Sequence, residues 1–217
     1  MGRDRRGWNR MDSTDPPRAA RRSAGEWLFQ LTTITLGVLI ALSFDAVLRW
    51  NANRSLVAEA RATIALEIAD NRRELDAHLA SYDERVARID DGLKLLAELE
   101  AGVEPTIHEV ILGMNLPSLN DAGWQTAGRT GAMALMEYTE VQELAEIYAL
   151  QTLFTDTLRP VLAAAIEAGV IMNSPGDPFA APATRDAVRG RLFEVRGKLE
   201  LARQLGIQLS AGYSKQQ

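Results

Sequence analysis

Few residues of this chain have the types and spacing that metal or acid–base chemistry requires. His108 and Glu109 begin like the zinc motif His-Glu-x-x-His, in which two histidines four residues apart bind the metal. Leu112 stands where the second histidine is required. The motif is therefore incomplete, and we predict no zinc site at this position.

The other candidates are one histidine and a pair of aspartates. His78 lies in a helical stretch between acidic residues, and we interpret it as a solvated side chain rather than a ligand. Asp90 and Asp91 could attract a divalent cation, but such charges are more often a solvated helix face. The chain has no Gly-rich phosphate loop, no GxSxG motif and no cysteine. We predict no catalytic, cofactor-binding or metal site, and we do not expect an enzyme.

The stretch that organises the chain is an uncharged run of 18 residues, Trp27–Phe44. A run of this length is long enough to cross the hydrocarbon core of a bilayer. Trp50 lies beyond its end, and tryptophan rings prefer the membrane surface. Ser23 and Glu26 fit a capping box that would start the helix. The sequence predicts a membrane-spanning helix over residues 23–50, with its ends at the interfaces.

A cleavable signal peptide is the competing interpretation of this run. Ala41 and Ser43 are small residues at the two positions that a signal peptidase reads. The run is longer than the usual apolar region of a signal peptide, and helix-forming sequence follows it without a break. We therefore expect an uncleaved anchor.

The charge distribution suggests an orientation for the span. Residues 1–26 hold seven arginines and four acidic residues, so they carry +3 of a net charge of −5 and the remainder carries −8. Residues 1–22 have little to bury and contain Pro16-Pro17, so we expect a disordered basic tail. The positive-inside rule then predicts a cytoplasmic N-terminus, with the body, residues 51–217, outside the cytoplasm. An acidic body also argues against nucleic acid as a partner.

Helix-forming residues dominate the body, and no stretch shows sustained alternation typical of strands. We expect the spanning helix to continue to about Leu99, with a stutter between Leu75 and Leu79 in its heptad seam. The apolar positions of that seam are Ile64, Ile68, Leu75, Leu79, Tyr82, Val86, Ile89, Leu93 and Leu96. Asn71 would lie in the seam, where leucine should raise the melting temperature, unless the stutter turns Asn71 toward water.

Four further helices are expected in the body. A short one covers Thr106–Met114, and a second opens near Asn120 with small residues suited to close packing. A third starts at a capping box, Thr139–Gln142, and Pro160 should kink or interrupt it. A loop over 173–182 precedes the last helix, from about Thr184 to Leu209. The fold class is all-α: a transmembrane helix continuing into a long helix that packs in an antiparallel helical bundle.

Residues 36–75, LGVLIALSFDAVLRWNANRSLVAEARATIALEIADNRREL, resemble a family of uncharacterised bacterial single-pass membrane proteins. Those proteins pair a GVLIAL-like span with a charged helix directly behind it. The segment GWQTAGRTGAM and the helix around Ile147–Gln151 also resemble the second half of that family. The resemblance implies a bacterial inner-membrane location and a helical fold. It implies no activity.

A small-residue face of the span suggests self-association. Thr33, Gly37 and Ala41 recur every four residues, which allows two spanning helices to pack closely. The alternative is that such residues are simply common in spans. The partners that we expect are membrane lipid and an unknown protein. We also expect a homo-oligomer that forms through this face.

These observations favour a membrane-anchored helical interaction, scaffold or sensory module. The alternative is a membrane-tethered enzyme or small-ligand binder with a pocket near Trp124 and Tyr148. A filled bundle would favour the first function, and a wet cavity with convergent polar groups would favour the second.

Overall fold

The computed structural model describes residues 24–107, 110–172, 174 and 178–216. The predicted tail, the capping residue Ser23, the pair His108-Glu109 and part of the predicted loop 173–182 lie outside these residues. The helices are α1 (Ala24–Ala80), α2 (Tyr82–Glu100), α3 (Ala122–Arg129), α4 (Tyr138–Met172) and α5 (Pro182–Lys215), with a 3-10 turn at Ala132–Leu135. No strand occurs among the described residues, so the all-α class is confirmed.

The chain divides into two units, Met1–Asn51 and Ala52–Gln217. The described part of the first unit is the start of α1, and its large apolar side chains from Trp27 to Trp50 are exposed. Its hydroxyl groups donate to carbonyls four residues earlier, as in Thr33 to Phe29 at 2.9 Å and Ser43 to Leu39 at 2.7 Å. These bonds satisfy the hydroxyls within the helix itself, as an apolar environment requires. This helix is long and apolar enough to cross a membrane.

In the second unit the long helix is not continuous, contrary to expectation. It stops at Ala80, Ser81 lies outside helical geometry, and α2 resumes at Tyr82. The seam nevertheless keeps a regular alternation of three and four, so the expected stutter is wrong. The seam positions are Ile64, Ile68, Asn71, Leu75, His78, Tyr82, Arg85, Ile89, Gly92 and Leu96. The sequence predicted a stutter because only apolar residues were assigned to the seam. In the structure, polar side chains occupy three of the seam positions.

Side-chain pairs along the bundle define the directions of the helices. Asp76 bonds Ser210 and Asp90 bonds Arg196, so α5 runs antiparallel to α1 and α2. Arg61 bonds Glu140, and further along the helices Glu67 bonds Tyr148, so α4 runs parallel to α1. The predicted bundle is thus confirmed, with α5 as its antiparallel member.

The α4 helix runs in this direction because the chain between α2 and α3 travels back along the bundle. We call residues 103–121 the return segment. Side chains of α1 and α2 bind its backbone: Thr106 N donates to Glu98 at 2.7 Å and Ser118 N to Glu74 at 3.3 Å. The expected helix over Thr106–Met114 is wrong for its described residues, which lack helical structure. Gly113 has a φ of +46°, a left-handed conformation that a helix does not contain.

Two expectations about α4 also differ from the structure. The helix begins at Tyr138, so Thr139 lies inside it, and the Gln142 side chain of the expected capping box donates to Glu146 at 3.4 Å. Pro160 does not interrupt α4, which continues to Met172, so of the two effects expected of this proline the interruption is wrong. Leu158 and Val161 are buried on either side of the proline, so core packing holds the helix through it.

The last helix is confirmed and extends beyond the predicted bounds. All the positions predicted for its stripe are buried: Val188, Leu192, Val195, Leu199, Ala202 and Leu209. Tyr213 is also fully buried, which explains why the helix continues past Leu209. The core has two clusters, one centred on Ile68, Phe154 and Tyr213 and one on Ile89, Val161 and Leu192.

Candidate functional site

Three polar side chains lie in the seam of α1 and α2 at intervals of seven residues. Asn71 is 1% exposed, His78 is 8% exposed and Arg85 is 3% exposed. Buried polar groups cost free energy unless they are hydrogen-bonded. We call Asn71, His78 and Arg85 the polar seam. The hydrogen-bond partners of these three side chains show what the polar seam does.

Asn71 binds the backbone of the return segment from both sides of its amide. Its Nδ2 donates to the carbonyl oxygen of Asn120 at 2.6 Å, and its Oδ1 accepts from Asn120 N at 2.7 Å. Gln151 of α4 donates to the same carbonyl at 3.0 Å and accepts from Tyr213 at 2.5 Å. Burial raises the pKa of Tyr213. The expectation that Asn71 is buried is confirmed, and its network connects α1, the return segment, α4 and α5.

Glu67 lies one turn before Asn71 on α1 and caps the N-terminus of α3, which has no capping side chain of its own. Asp121 makes no side-chain cap bond, while Gly123 N donates to Glu67 at 2.7 Å. A carboxylate at the first turn of a helix satisfies its free amides and interacts favourably with its dipole. Of the small residues expected to pack closely here, Ala127 is buried, but a Cβ on Gly128 would meet only Met133 and one on Gly131 would meet no atom within 4 Å. The close approach lies instead at Gly123, where a Cβ would lie 3.1 Å from Thr63.

The residues proposed to line a ligand pocket, Trp124 and Tyr148, contact each other. Their rings stack with centroids 5.1 Å apart and an interplanar angle of 12°. The Tyr148 hydroxyl donates to Glu67 at 2.6 Å, and burial together with this carboxylate raises the pKa of Tyr148. The two stacked rings are therefore in direct contact, and the Tyr148 hydroxyl is hydrogen-bonded to Glu67.

His78 and Arg85 meet at the break between α1 and α2. Arg85 Nη2 donates to the carbonyl oxygen of His78 at 2.6 Å, and Nη1 lies 3.4 Å from His78 Nδ1. Carbonyls of the last helical turn lack helical partners, and a cation there is favoured by the helix dipole. Arg85 therefore caps the end of α1, where Ser81 also donates to His78 O at 3.0 Å.

The environment of His78 corrects the expectation of a solvated histidine. Its ring packs edge-on against Phe154, with centroids 6.1 Å apart. Burial and the neighbouring Arg85 lower the pKa of His78 to about 4. Neutral imidazole is therefore the form that this site holds at neutral pH. The sequence signal that could have found the site is the seven-residue interval between Asn71, His78 and Arg85.

Of the remaining candidates, His108 and Glu109 lie outside the described residues, and Asp90 is engaged by a basic side chain. Asp90 forms an ion pair with Arg196 at 3.2 Å. Within the described parts of the chain, no group of three or more histidine, aspartate or glutamate side chains could hold a metal ion. In the first unit, Thr33 and Ala41 are exposed, and a Cβ built on Gly37 meets no atom within 4 Å.

The fold and its polar seam define a class of protein: a helical bundle with an exposed apolar helix near its N-terminus. Comparison with family models, with curated proteins and with solved structures finds no match to this chain. The resemblance to bacterial single-pass proteins therefore stays a prediction.

Proposed function

We propose that this protein is a single-pass protein of a bacterial inner membrane whose helical body serves as an interaction, scaffold or sensory module. The N-terminus lies in the cytoplasm and the body lies in the periplasm. The observation that carries the proposal is the apolar stretch of α1, whose 18-residue window has no buried residue. Exposed apolar surface of this extent is stable in lipid rather than in water.

The body supports an interaction role over catalysis. Its buried polar side chains Asn71, Gln151 and Tyr213 are engaged with each other and with the return segment. The stacked pair Trp124–Tyr148 favours the same conclusion over a catalytic pocket at that position. Such a network stabilises one arrangement of the helices, which is what a scaffold requires.

The test uses the full chain expressed with C-terminal reporters. We expect the protein to remain in the membrane pellet after carbonate extraction at its full mass. A C-terminal alkaline phosphatase should be active, since it needs the oxidising periplasm, and a C-terminal green fluorescent protein should be dark. A soluble product that begins near Phe44 would instead establish the signal-peptide interpretation. Reporters with the opposite pattern would reverse the orientation.

A further inference from the structure

The two apolar clusters of the core meet at one level of the bundle. The helices that cross this level change from one cluster to the other over a short step in sequence. The steps are from Leu79 of α1 to Tyr82 of α2, from Leu158 to Val161 in α4, and from Leu199 to Ala202 in α5. The body thus has two separately packed halves, which we call the α1 half and the α2 half after the helix that each contains.

Two of the helical paths through this level are weakened where they cross it. The break between α1 and α2 is at Ser81, and Pro160 lies in α4 between Leu158 and Val161. A proline has no N–H, so it cannot form the helical bond to the carbonyl four residues earlier. Helix α5 crosses the same level without a break. This construction is that of a hinge, with α5 as its continuous member.

The buried polar groups at this level are His78 and Arg85. Arg85 Nη1 donates to Ser81 Oγ at 2.8 Å and lies 3.4 Å from His78 Nδ1, while Nη2 donates to the His78 carbonyl. A guanidinium has donors only, so its approach requires an unprotonated Nδ1. Arg85 Nε is buried and has no hydrogen-bond partner among the described residues. The cap at the end of α1 therefore depends on a neutral His78.

No carboxylate forms an ion pair with His78 or Arg85 in the described part of the chain. The charged side chains near this level are engaged by other groups: Asp76 by Arg72 on α1, Glu84 by Arg88 on α2, Asp156 by Arg159 on α4, and Glu200 and Arg203 by Tyr82 on α5. From α4 the uncharged ring of Phe154 faces His78, and the return segment has no charged residue over 110–120. Besides burial, the positive charge of Arg85 is what lowers the pKa of His78.

We propose that this level is a proton-gated hinge, which opens when His78 is protonated. The added proton turns the Nδ1 acceptor into a donor and places a second cation beside Arg85. Arginine keeps its charge, so the repulsion is relieved by movement. Arg85 leaves the end of α1, the junction between α1 and α2 opens, and His78 becomes solvated. The two halves of the body are then free to change their angle around α5.

The hinge would give the sensory role a stimulus, namely acid outside the cytoplasm. This meaning rests on the proposed function, because a periplasmic body meets the external pH through the water-filled porins of the outer membrane. The opening itself is a property of the folded body and does not depend on the orientation of the anchor. The C-terminal reporters therefore test the location, and amide hydrogen exchange on the purified protein tests the hinge.

The two states of the junction should bind the proton with different affinity. In the closed junction the pKa of His78 is about 4, and in the opened junction it returns to its ordinary value of about 6.5. The opened state takes up the proton first as the pH falls, so acid favours opening. From about pH 7.5 to about pH 5, the ratio of opened to closed junction should rise about thirtyfold.

The experiment is hydrogen exchange followed by mass spectrometry, on the full chain in lipid nanodiscs. Exchange detects an opened state even when it is rare. After correction for the intrinsic effect of pH, amides of residues 78–88 should show the thirtyfold increase. Amides of residues 196–205, at the same level of α5, should show no comparable increase. An equal increase in both segments would mean that acid unfolds the whole body, and it would overturn the hinge.

Three variants separate the role of His78 from other effects of acid. His78→Gln removes the titrating ring and should abolish the increase, and His78→Asn serves if the first variant does not fold. His108→Gln is the matched control, since it removes the other histidine of the chain and should retain the increase. No increase in the parent, or a full increase in the His78 variants, would overturn the proposal.

The part played by α4 is tested at Pro160, an exposed position. Pro160→Ala supplies the missing N–H, so α4 should resist bending and the junction should open about threefold less at acid pH. Unchanged exchange in this variant would overturn the participation of α4 in the hinge.

Discussion

The side-chain amide of Asn71 pairs with the backbone of Asn120, donating to its carbonyl at 2.6 Å and accepting from its N–H at 2.7 Å. The two residues are 49 positions apart in the chain. One buried amide thus fixes where the return segment ends and α3 begins. The sequence suggested that leucine at position 71 should raise the melting temperature. Because of this pairing, we expect the opposite effect.

Asn71→Leu should destabilise the fold, because the Asn120 N–H loses its acceptor on α1, while the Asn120 carbonyl keeps the bond from Gln151. A buried unsatisfied group costs about 1–3 kcal/mol. The melting temperature of the detergent-solubilised chain, followed by circular dichroism, should fall by several degrees. Asn53→Leu, at an exposed position of the same helix, should leave it nearly unchanged. A rise in the Asn71→Leu variant would mean that burial of leucine outweighs these bonds.

Stability should fall as the pH drops from about 6.5 toward 4. The pKa of His78 is about 4 in the folded protein, below the unfolded value of about 6.5. In this window the unfolded state binds the extra proton, so acid favours unfolding. The loss attributable to His78 should be at most about 3 kcal/mol. It is measured as the difference between the parent and His78→Gln in urea unfolding at several pH values. Parallel profiles for the two proteins would contradict the buried neutral histidine.

Two glycines of α5 should respond to alanine with opposite signs. A Cβ on Gly206 would lie 2.9 Å from Leu79 and 3.1 Å from Phe154, so Gly206→Ala overpacks the core and should cost about 1–3 kcal/mol. Gly197 is exposed, and no atom lies within 4 Å of its Cβ position. Gly197→Ala should therefore stabilise by about 0.5–1 kcal/mol through helix propensity. Thermal melting of the two variants is the measurement, and shifts of the same sign would refute the proposed close approach at Gly206.

Gly37→Ile should weaken self-association of the span without affecting insertion. The isoleucine side chain would separate two helices that meet through Thr33, Gly37 and Ala41. A membrane two-hybrid assay of residues 23–50 measures association, and Leu39→Ile on the opposite side of the helix is the control. An unchanged signal for Gly37→Ile would remove this face as the contact.

The features that the sequence by itself determined are those carried by local pattern. The run Trp27–Phe44 specifies an apolar helix because its composition alone sets its hydropathy. The spacing from Val188 to Leu209 specifies the buried face of α5, because residues three and four apart share a side of a helix. Both expectations needed no knowledge of the neighbouring elements.

Tertiary structure decided the path of the return segment and the burial of the polar seam. Apolar composition in residues 106–114 suggested a helix, but Glu98, Glu74 and Asn71 bind backbone amides of the return segment from outside it. That path sets the direction of α4, which no periodicity encodes. His78 and Asn71 looked similarly polar in sequence, and their burial depends on side chains up to 80 residues away. Contacts of this range depend on how the whole chain packs, so the physical reason for each appears only in the folded protein.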